Sequence, residues 1–226
     1  ILKAAGVDIS LDPADFPFMT MREAHIAGLP VRIFRISFTG ELSYEINIRA
    51  RHGLALWTHL MKAGAEFGIT PYGTEAMHVL RAEKGFIIVG QETDGSVTPQ
   101  DLGMDWIVSK VKPDYIGKRA LERASMAADN RKQLVGLRTK ERKQVILEGA
   151  HAVLDPNQPM PMDMLGQVTS SYYSPNVGSS IAMAMLKGGR ALMGGTVYLP
   201  MLDGSVIEAE VVEPIFYDPK GERLNG

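Results

Sequence analysis

The chain has 226 residues, of which 45% are hydrophobic and 22% charged, enough to bury a substantial core as one large domain or two small ones. A formal charge of -2 gives no basic footprint for nucleic acid or an anionic membrane surface. The absence of cysteine excludes disulfides, thiolate metal ligands and a cysteine nucleophile within these residues, and fits a reducing compartment, with the cytoplasm as the expected location. No apolar run approaches the ~20 residues of a membrane span. The start, Ile-Leu-Lys-Ala-Ala-Gly, does not read as a signal peptide and carries no initiator Met, so a piece of a longer chain is expected.

Residues 11–19 combine turn punctuation with an apolar cluster, which predicts a loop that tucks a hydrophobic tip into a core. Ala27-Gly28-Leu29-Pro30 is a turn leading into an extended segment at 31–38. Tyr44, Ile46 and Ile48 then alternate with Glu45, Asn47 and Arg49, the two-residue period of a half-buried strand. Between these two extended segments lies Thr39-Gly40-Glu41, read as a hairpin or sharp bend that holds a carboxylate between rigid elements.

Leu54, Trp57, Leu60 and Met61 recur at helical steps, predicting an amphipathic helix over 53–66 that stops near Gly68. A second helix is predicted at 74–84, with Thr74 as N-cap and Gly85 just past its end. Short strands are expected at 86–89 and 106–111, and a third helix at 117–126. The polar stretch 127–131 marks a domain boundary. Beyond it, short extended segments at 133–139, 151–154, 166–173, 179–186, 196–199 and 205–213 alternate with Gly and Pro turns, the texture of a small antiparallel barrel or sandwich. The fold class is therefore α+β: a mixed region over 1–128, then an antiparallel β-barrel over 129–226.

Chemistry-bearing patterns are sparse. His25, His52, His59, His78 and His151 are scattered without metal-site spacing, so no metal is expected. No phosphate loop and no Gly-x-Ser-x-Gly elbow is present. Glu41, Arg81, Glu83, Asp94 and Asp101 stand beside glycines or turns, where each singly reads as a cap, a surface ion pair or a solvated loop residue.

Their order along the chain adds more. Phe-Thr-Gly-Glu-Leu-Ser-Tyr-Glu-Ile (38–46), Leu-Arg-Ala-Glu-Lys-Gly (80–85), Thr-Pro-Gln-Asp-Leu-Gly-Met-Asp-Trp (98–106), Tyr-Ile-Gly-Lys-Arg-Ala-Leu (115–121), Leu-Val-Gly-Leu (134–137) and Gly-Gln-Val-Thr-Ser-Ser-Tyr-Tyr-Ser-Pro (166–175) occur in succession. This set resembles the aminomethyltransferase family, the T-proteins of the glycine cleavage system. The wording of 73–86 and of the tail 214–224 is most similar to the alpha subunits of heterotetrameric sarcosine oxidases.

The resemblance implies a tetrahydrofolate-binding unit, with the folate in a central opening enclosed by the amino-terminal α+β region and the carboxy-terminal barrel. It implies that Glu41, the glutamate of the Thr-Gly-Glu turn, binds the pterin. One carboxylate can accept from the ring amide N–H and the neighbouring exocyclic amine together. Tyr44 either lines the pocket or fills the hairpin core, and Tyr217 falls where relatives bring their last segment over the folate. T-proteins hold the ligand with an arginine four residues before the arginine of their Leu-Arg-Leu-Glu-Ala-Gly block. Counting back from Arg81 places Met77 there, followed by His78, so that contact does not carry over. Arg81 itself reads as the ion-pair partner of Glu83 or of a loop carboxylate. The T-protein aspartate near the reactive folate nitrogen lies ahead of this chain, so no catalytic residue is assigned.

What the resemblance further implies is one-carbon chemistry. Sarcosine is oxidised at a flavin elsewhere in the complex, and tetrahydrofolate bound here captures the one-carbon unit as 5,10-methylenetetrahydrofolate. FAD, FMN and NAD would belong to the rest of that complex, and the partners would be the other sarcosine oxidase subunits. A non-catalytic scaffold module and a free-standing folate-dependent aminomethyltransferase or demethylase are the alternatives.

Overall fold

The structure, a computed structural model, describes residues 1–225. It divides into two compact units, the first formed by residues 1–77 with the residues from Lys220 on, the second by residues 78–219. None of the helices among the described residues is long and apolar enough to cross a membrane.

The first unit is built on an antiparallel three-stranded sheet in the order β1 (Met21–Ile26), β2 (Leu29–Phe34), β3 (Glu45–Asn47). β1 and β2 form a hairpin with Ile26 opposite Leu29, and its tip residues Ala27 and Gly28 both have positive φ, +51° and +77°. Two such residues make the tight turn whose twist matches paired strands. Sequence periodicity places no strand at 21–26, because Arg22, Glu23 and His25 dilute its apolar face; pairing with β2 supplies what the pattern lacks. β2 ends at Phe34, so residues 35–44 form a longer connection to β3 than a tight bend at 39–41 requires.

Alternation in β3 and its flanks is as expected: Tyr44, Ile46 and Ile48 are half-buried, Glu45, Asn47 and Arg49 exposed. Phe16 is fully buried, so the 11–19 loop does insert its tip, packing with Ala24, Ile26, Val31, Ile33 and Leu56. Helix α1 (Gly53–Gly64) continues into a 3-10 turn, Ala65–Phe67, and stops at Gly68 with φ +68°. Its core stripe is Leu56, Leu60 and Ala63, while Leu54 and Trp57 face solvent. The larger side chains thus misled the assignment of the buried face.

Helix α2 (Thr74–Glu83) starts at Thr74 itself, which is helical rather than the cap before the helix. Its end is as predicted. Gly85 has φ +67°, its N–H reaches the Ala82 carbonyl, and the Phe86 N–H reaches the Arg81 carbonyl, the paired bonds of a left-handed C-terminal cap. The strands expected at 86–89 and 106–111 are not formed. Val89 makes one isolated bridge to Thr93, and 105–107 is a 3-10 turn with Trp106 and Val111 exposed. Apolar density there resembles a buried strand, but no neighbouring strand offers a ladder. Helix α3 is a single turn, Lys118–Leu121.

The second unit contains six strands: β4 (Lys132–Thr139), β5 (His151–Ala152), β6 (Gly166–Ser174), β7 (Ser179–Lys187), β8 (Thr196–Pro200) and β9 (Val206–Val212). They pair antiparallel in the order β5-β6-β7-β4-β9-β8. Val153 and Tyr198 exchange both backbone hydrogen bonds, at 2.8 and 2.9 Å, joining the two ends of the sheet into a barrel. Closure removes the exposed edges that an open sheet would present. Val135, Leu137, Val168, Ala184, Leu186, Val197, Leu199 and Val211 fill the interior. Leu134, Ile181, Met183 and Met185 point outward, yet are buried beneath Ala82, Leu102 and Phe216. β4 and β7 are therefore covered on both faces. Residues 78–131 belong to the same compact unit as the barrel.

Candidate functional site: the Thr-Gly-Glu turn and the end of helix α2

The connection from β2 to β3 begins at Arg35, which is 2% exposed and whose guanidinium donates to the Phe16 carbonyl at 2.8 Å. Ser37 then organises the turn: its Oγ accepts from the N–H of Gly40 at 2.9 Å and of Glu41 at 3.0 Å. Gly40 has φ +81°, a conformation that glycine adopts without strain. The Leu42 N–H donates to the Arg223 carbonyl at 2.8 Å, clipping the far side of the turn to the carboxy-terminal residues of the same unit. The backbone of Glu41 is fixed from both sides. Its carboxylate lies 3.6 Å from Arg223, in a pair where both side chains are about half exposed (55% and 46%). Such a pair contributes ~0–1 kcal/mol and yields readily to a better donor set.

Tyr44 packs against the first unit's core, its ring centroid 5.9 Å from that of Phe16. Of the two places open to Tyr44, pocket wall or hairpin core, the core thus has a contact. Tyr217, in the second unit, is half-buried and its N–H donates to the Glu83 carbonyl at 3.0 Å.

The end of α2 gathers more polar groups than the sequence suggests. Arg81 and Glu92 form an ion pair of 3.0 Å with both side chains fully buried. Arg81 also donates to Ser170 Oγ at 2.6 Å and to the Phe86 carbonyl at 3.1 Å; Glu92 accepts from the Ile88 N–H at 2.7 Å and from Ser170. A loop carboxylate, not Glu83, is thus the partner of Arg81. Ser170 follows a bulge in β6 at Thr169, which shifts the register against β7. Glu83 instead accepts from Ser174 Oγ at 2.6 Å and Asn176 Nδ2 at 2.9 Å. Ser170 and Asn176 went unnoticed in the sequence because nothing local marks residues paired across 78 or more positions, and Glu92, only 11 positions from Arg81, lies in a loop whose path no local pattern fixes.

Asp101 is buried with Thr98, whose N–H and hydroxyl both donate to it, and with the Arg131 guanidinium at 2.5 Å. Asp94 stays exposed, bonded to Ser96. Met77 and His78 are half-buried on α2. Of the histidines, His25 meets Asp8 at 2.9 Å on an exposed surface and His59 bonds the Ala5 carbonyl. Among the described residues no group of three or more His, Cys, Asp or Glu could hold a metal ion.

Residues 1–112 match the family model described as the GCVT N-terminal domain, and residues 132–218 match the glycine cleavage T-protein C-terminal barrel domain. The chain belongs to the glycine cleavage T-protein family. Among other T-protein relatives, the sarcosine oxidase subunit alpha of Corynebacterium sp. (strain P-1) is 46% identical over 226 residues, 98% of this chain and 23% of that protein. The aminomethyltransferase of Halothermothrix orenii is 32% identical over 196 residues, 87% of this chain and 52% of that one. The crystal structure of glycine cleavage system aminomethyltransferase T from Bartonella henselae shares the T-protein fold with a TM-score of 0.75 at 24% identity, covering 89% of this chain and 53% of that chain. This chain therefore spans 23% of the first of these relatives and about half of the other two.

Proposed function

We propose that this chain is the tetrahydrofolate-binding part of a sarcosine oxidase alpha subunit. The observation that carries the reading is the Glu41 turn, a carboxylate on a backbone held by Ser37 and by the Leu42–Arg223 clip, with its oxygens half exposed and only weakly engaged. That is what a pterin requires: an acceptor pair already oriented, so little conformational entropy is lost on binding. Exchange of the exposed Arg223 contact for two parallel N–H donors replaces a screened ion pair with a charge-assisted, bidentate one. Tyr217, whose backbone N–H donates to the Glu83 carbonyl, is proposed separately as a folate contact from its place in the tail that resembles the sarcosine oxidase alpha subunits. Tyr44 is proposed as a neighbour of the pterin that also braces the turn through Phe16.

Tetrahydrofolate, when bound, supplies the amine nitrogens that capture a one-carbon unit as 5,10-methylenetetrahydrofolate. In this proposal the unit comes from oxidative demethylation of sarcosine, at a flavin carried by another part of the assembly together with its FMN and NAD. The residues of this chain bind and orient: holding the acceptor beside the arriving fragment supplies the positional advantage that an encounter in water lacks. The test is tetrahydrofolate affinity of the full-length subunit. Glu41→Ala should weaken binding by ~1.5–3 kcal/mol, as for a hydrogen bond to a charged group. Wild-type affinity in that variant would reject the pterin role. Met77, at the place of the T-protein arginine, favours a second reading, a scaffold module that no longer binds folate; absence of tetrahydrofolate binding by the unmutated subunit would select it.

A further inference from the structure

The second unit carries a cavity of about 420 Å³ to which the folate reading gives no role. One wall is the run Met160-Pro161-Met162-Asp163-Met164, whose three methionines line the cavity while Pro161 and Asp163 are exposed and do not. Leu147, Met201 and Leu202 line it as well. Its walls are fixed by polar bonds of their own. The Gln158 side chain accepts from the Asp163 N–H at 2.8 Å and donates to the Asp155 carbonyl at 3.0 Å, and the Met201 N–H donates to the Ser205 carbonyl at 2.8 Å. A hollow formed in advance loses little freedom when something enters it, and methionine side chains adapt their shape to what enters.

Leu147, Met160 and Leu202 are exposed. Single exposed apolar side chains are ordinary; several gathered around one hollow mark an interaction site. Charge indicates what fits there. Segments 147–164 and 200–205, which supply the lining, contain Glu148, Asp155, Asp163 and Asp203 and no Lys or Arg. Lys187 lies 3.8 Å from Asp163, but in an exposed pair too weak to cancel that excess. The same face of a second copy would set four carboxylates against four, which disfavours self-association through it.

We propose that this cavity docks a basic amphipathic segment of a partner polypeptide, with an apolar side chain inserted among the methionines and flanking Lys or Arg residues meeting the surrounding carboxylates. The site lies wholly in the second unit and does not depend on the folate reading. Burial of the apolar anchor supplies the affinity, and the carboxylates select a partner of opposite charge and speed its approach.

The experiment is fluorescence anisotropy of the full-length subunit with three labelled peptides: a helical Leu/Lys peptide with its leucines on one face, the same peptide with Glu for Lys, and the same peptide with Ser for Leu. The Leu/Lys peptide should bind, more weakly as salt is raised, and the other two at least about tenfold less tightly. Met160→Ser with Leu202→Ser should weaken the Leu/Lys peptide about tenfold. Glu148→Gln with Asp163→Asn should weaken it less and flatten its salt dependence. All four of these side chains are exposed, so the variants keep the fold. Three peptides that bind alike, no binding of the Leu/Lys peptide, or Leu/Lys binding unchanged in both double variants overturns the proposal. Sedimentation of the unmutated subunit covers the other occupant: self-association abolished by Met160→Ser with Leu202→Ser would assign the cavity to a second copy and overturn it too.

Discussion

At Arg81 and Glu92 two opposite charges are fully enclosed, and Arg81 Nε has no hydrogen-bond partner among the described residues. The energetic consequence is asymmetric. Each charge is tolerable only because the other is present, so removing one leaves the second buried and uncompensated. Glu92→Gln should therefore destabilise the chain by ~3–5 kcal/mol. Adding Arg81→Met to Glu92→Gln should recover part of that loss, since the amide still serves Ile88 and Ser170 while the orphaned charge is gone. Urea unfolding of Glu92→Gln, Arg81→Met and the double variant measures the difference. A double variant as unstable as the sum of the singles would show that the charges are not what matters there.

Among the elements, the loop from Thr98 to Asp101 depends most on ionisation. Burial pushes the Asp101 carboxyl up, but donation from Arg131 and Thr98 outweighs it and holds the group below the usual carboxylate range. A carboxyl whose folded value is depressed adds stability above its unfolded value, ~3.9, and that contribution fades as pH falls through the folded value. The melting temperature of Asp101→Asn should thus lie below wild type near neutrality, with the gap narrowing on acidification below about pH 4. A gap that stays constant between neutral and acid pH would remove the linkage. The same loop has its backbone tied to the barrel, Leu134 N–H donating to the Asp101 carbonyl at 2.8 Å, so its loss would be felt in β4.

Over the whole molecule, protection should follow enclosure within each unit. β4 and β7 lie in the middle of a closed barrel and are buried on both faces, whereas β3 is a three-residue edge strand and 105–121 has little regular structure. Amide hydrogen exchange should accordingly be slowest in β4 and β7 and fastest over 105–121, with β3 near the fast end. Slow exchange throughout 105–121 would contradict that ranking.

The division between local and tertiary information follows the range of the forces involved. Period-two alternation, glycine at a helix end and turn dipeptides are written within a few residues, which is why all six barrel strands, the stops of α1 and α2 and the alternation around Ile46 are legible in the sequence. So is Glu41 as a candidate, through the order of its surrounding motifs. The strands expected at 86–89 and 106–111 failed because a strand needs a ladder partner, and apolar composition cannot say whether one arrives. β1 went unseen for the opposite reason: its partner makes it a strand despite a polar face. The Arg81–Glu92–Ser170 cluster and the Lys84–Asp218 ion pair join residues far apart in the chain, and only the packed barrel with the end of α2 laid against it brings them within bonding distance. Sequence determined the elements and the family of this protein; which charges are buried, and what each one holds, was decided by tertiary structure, because burial and pairing are properties of space rather than of chain order.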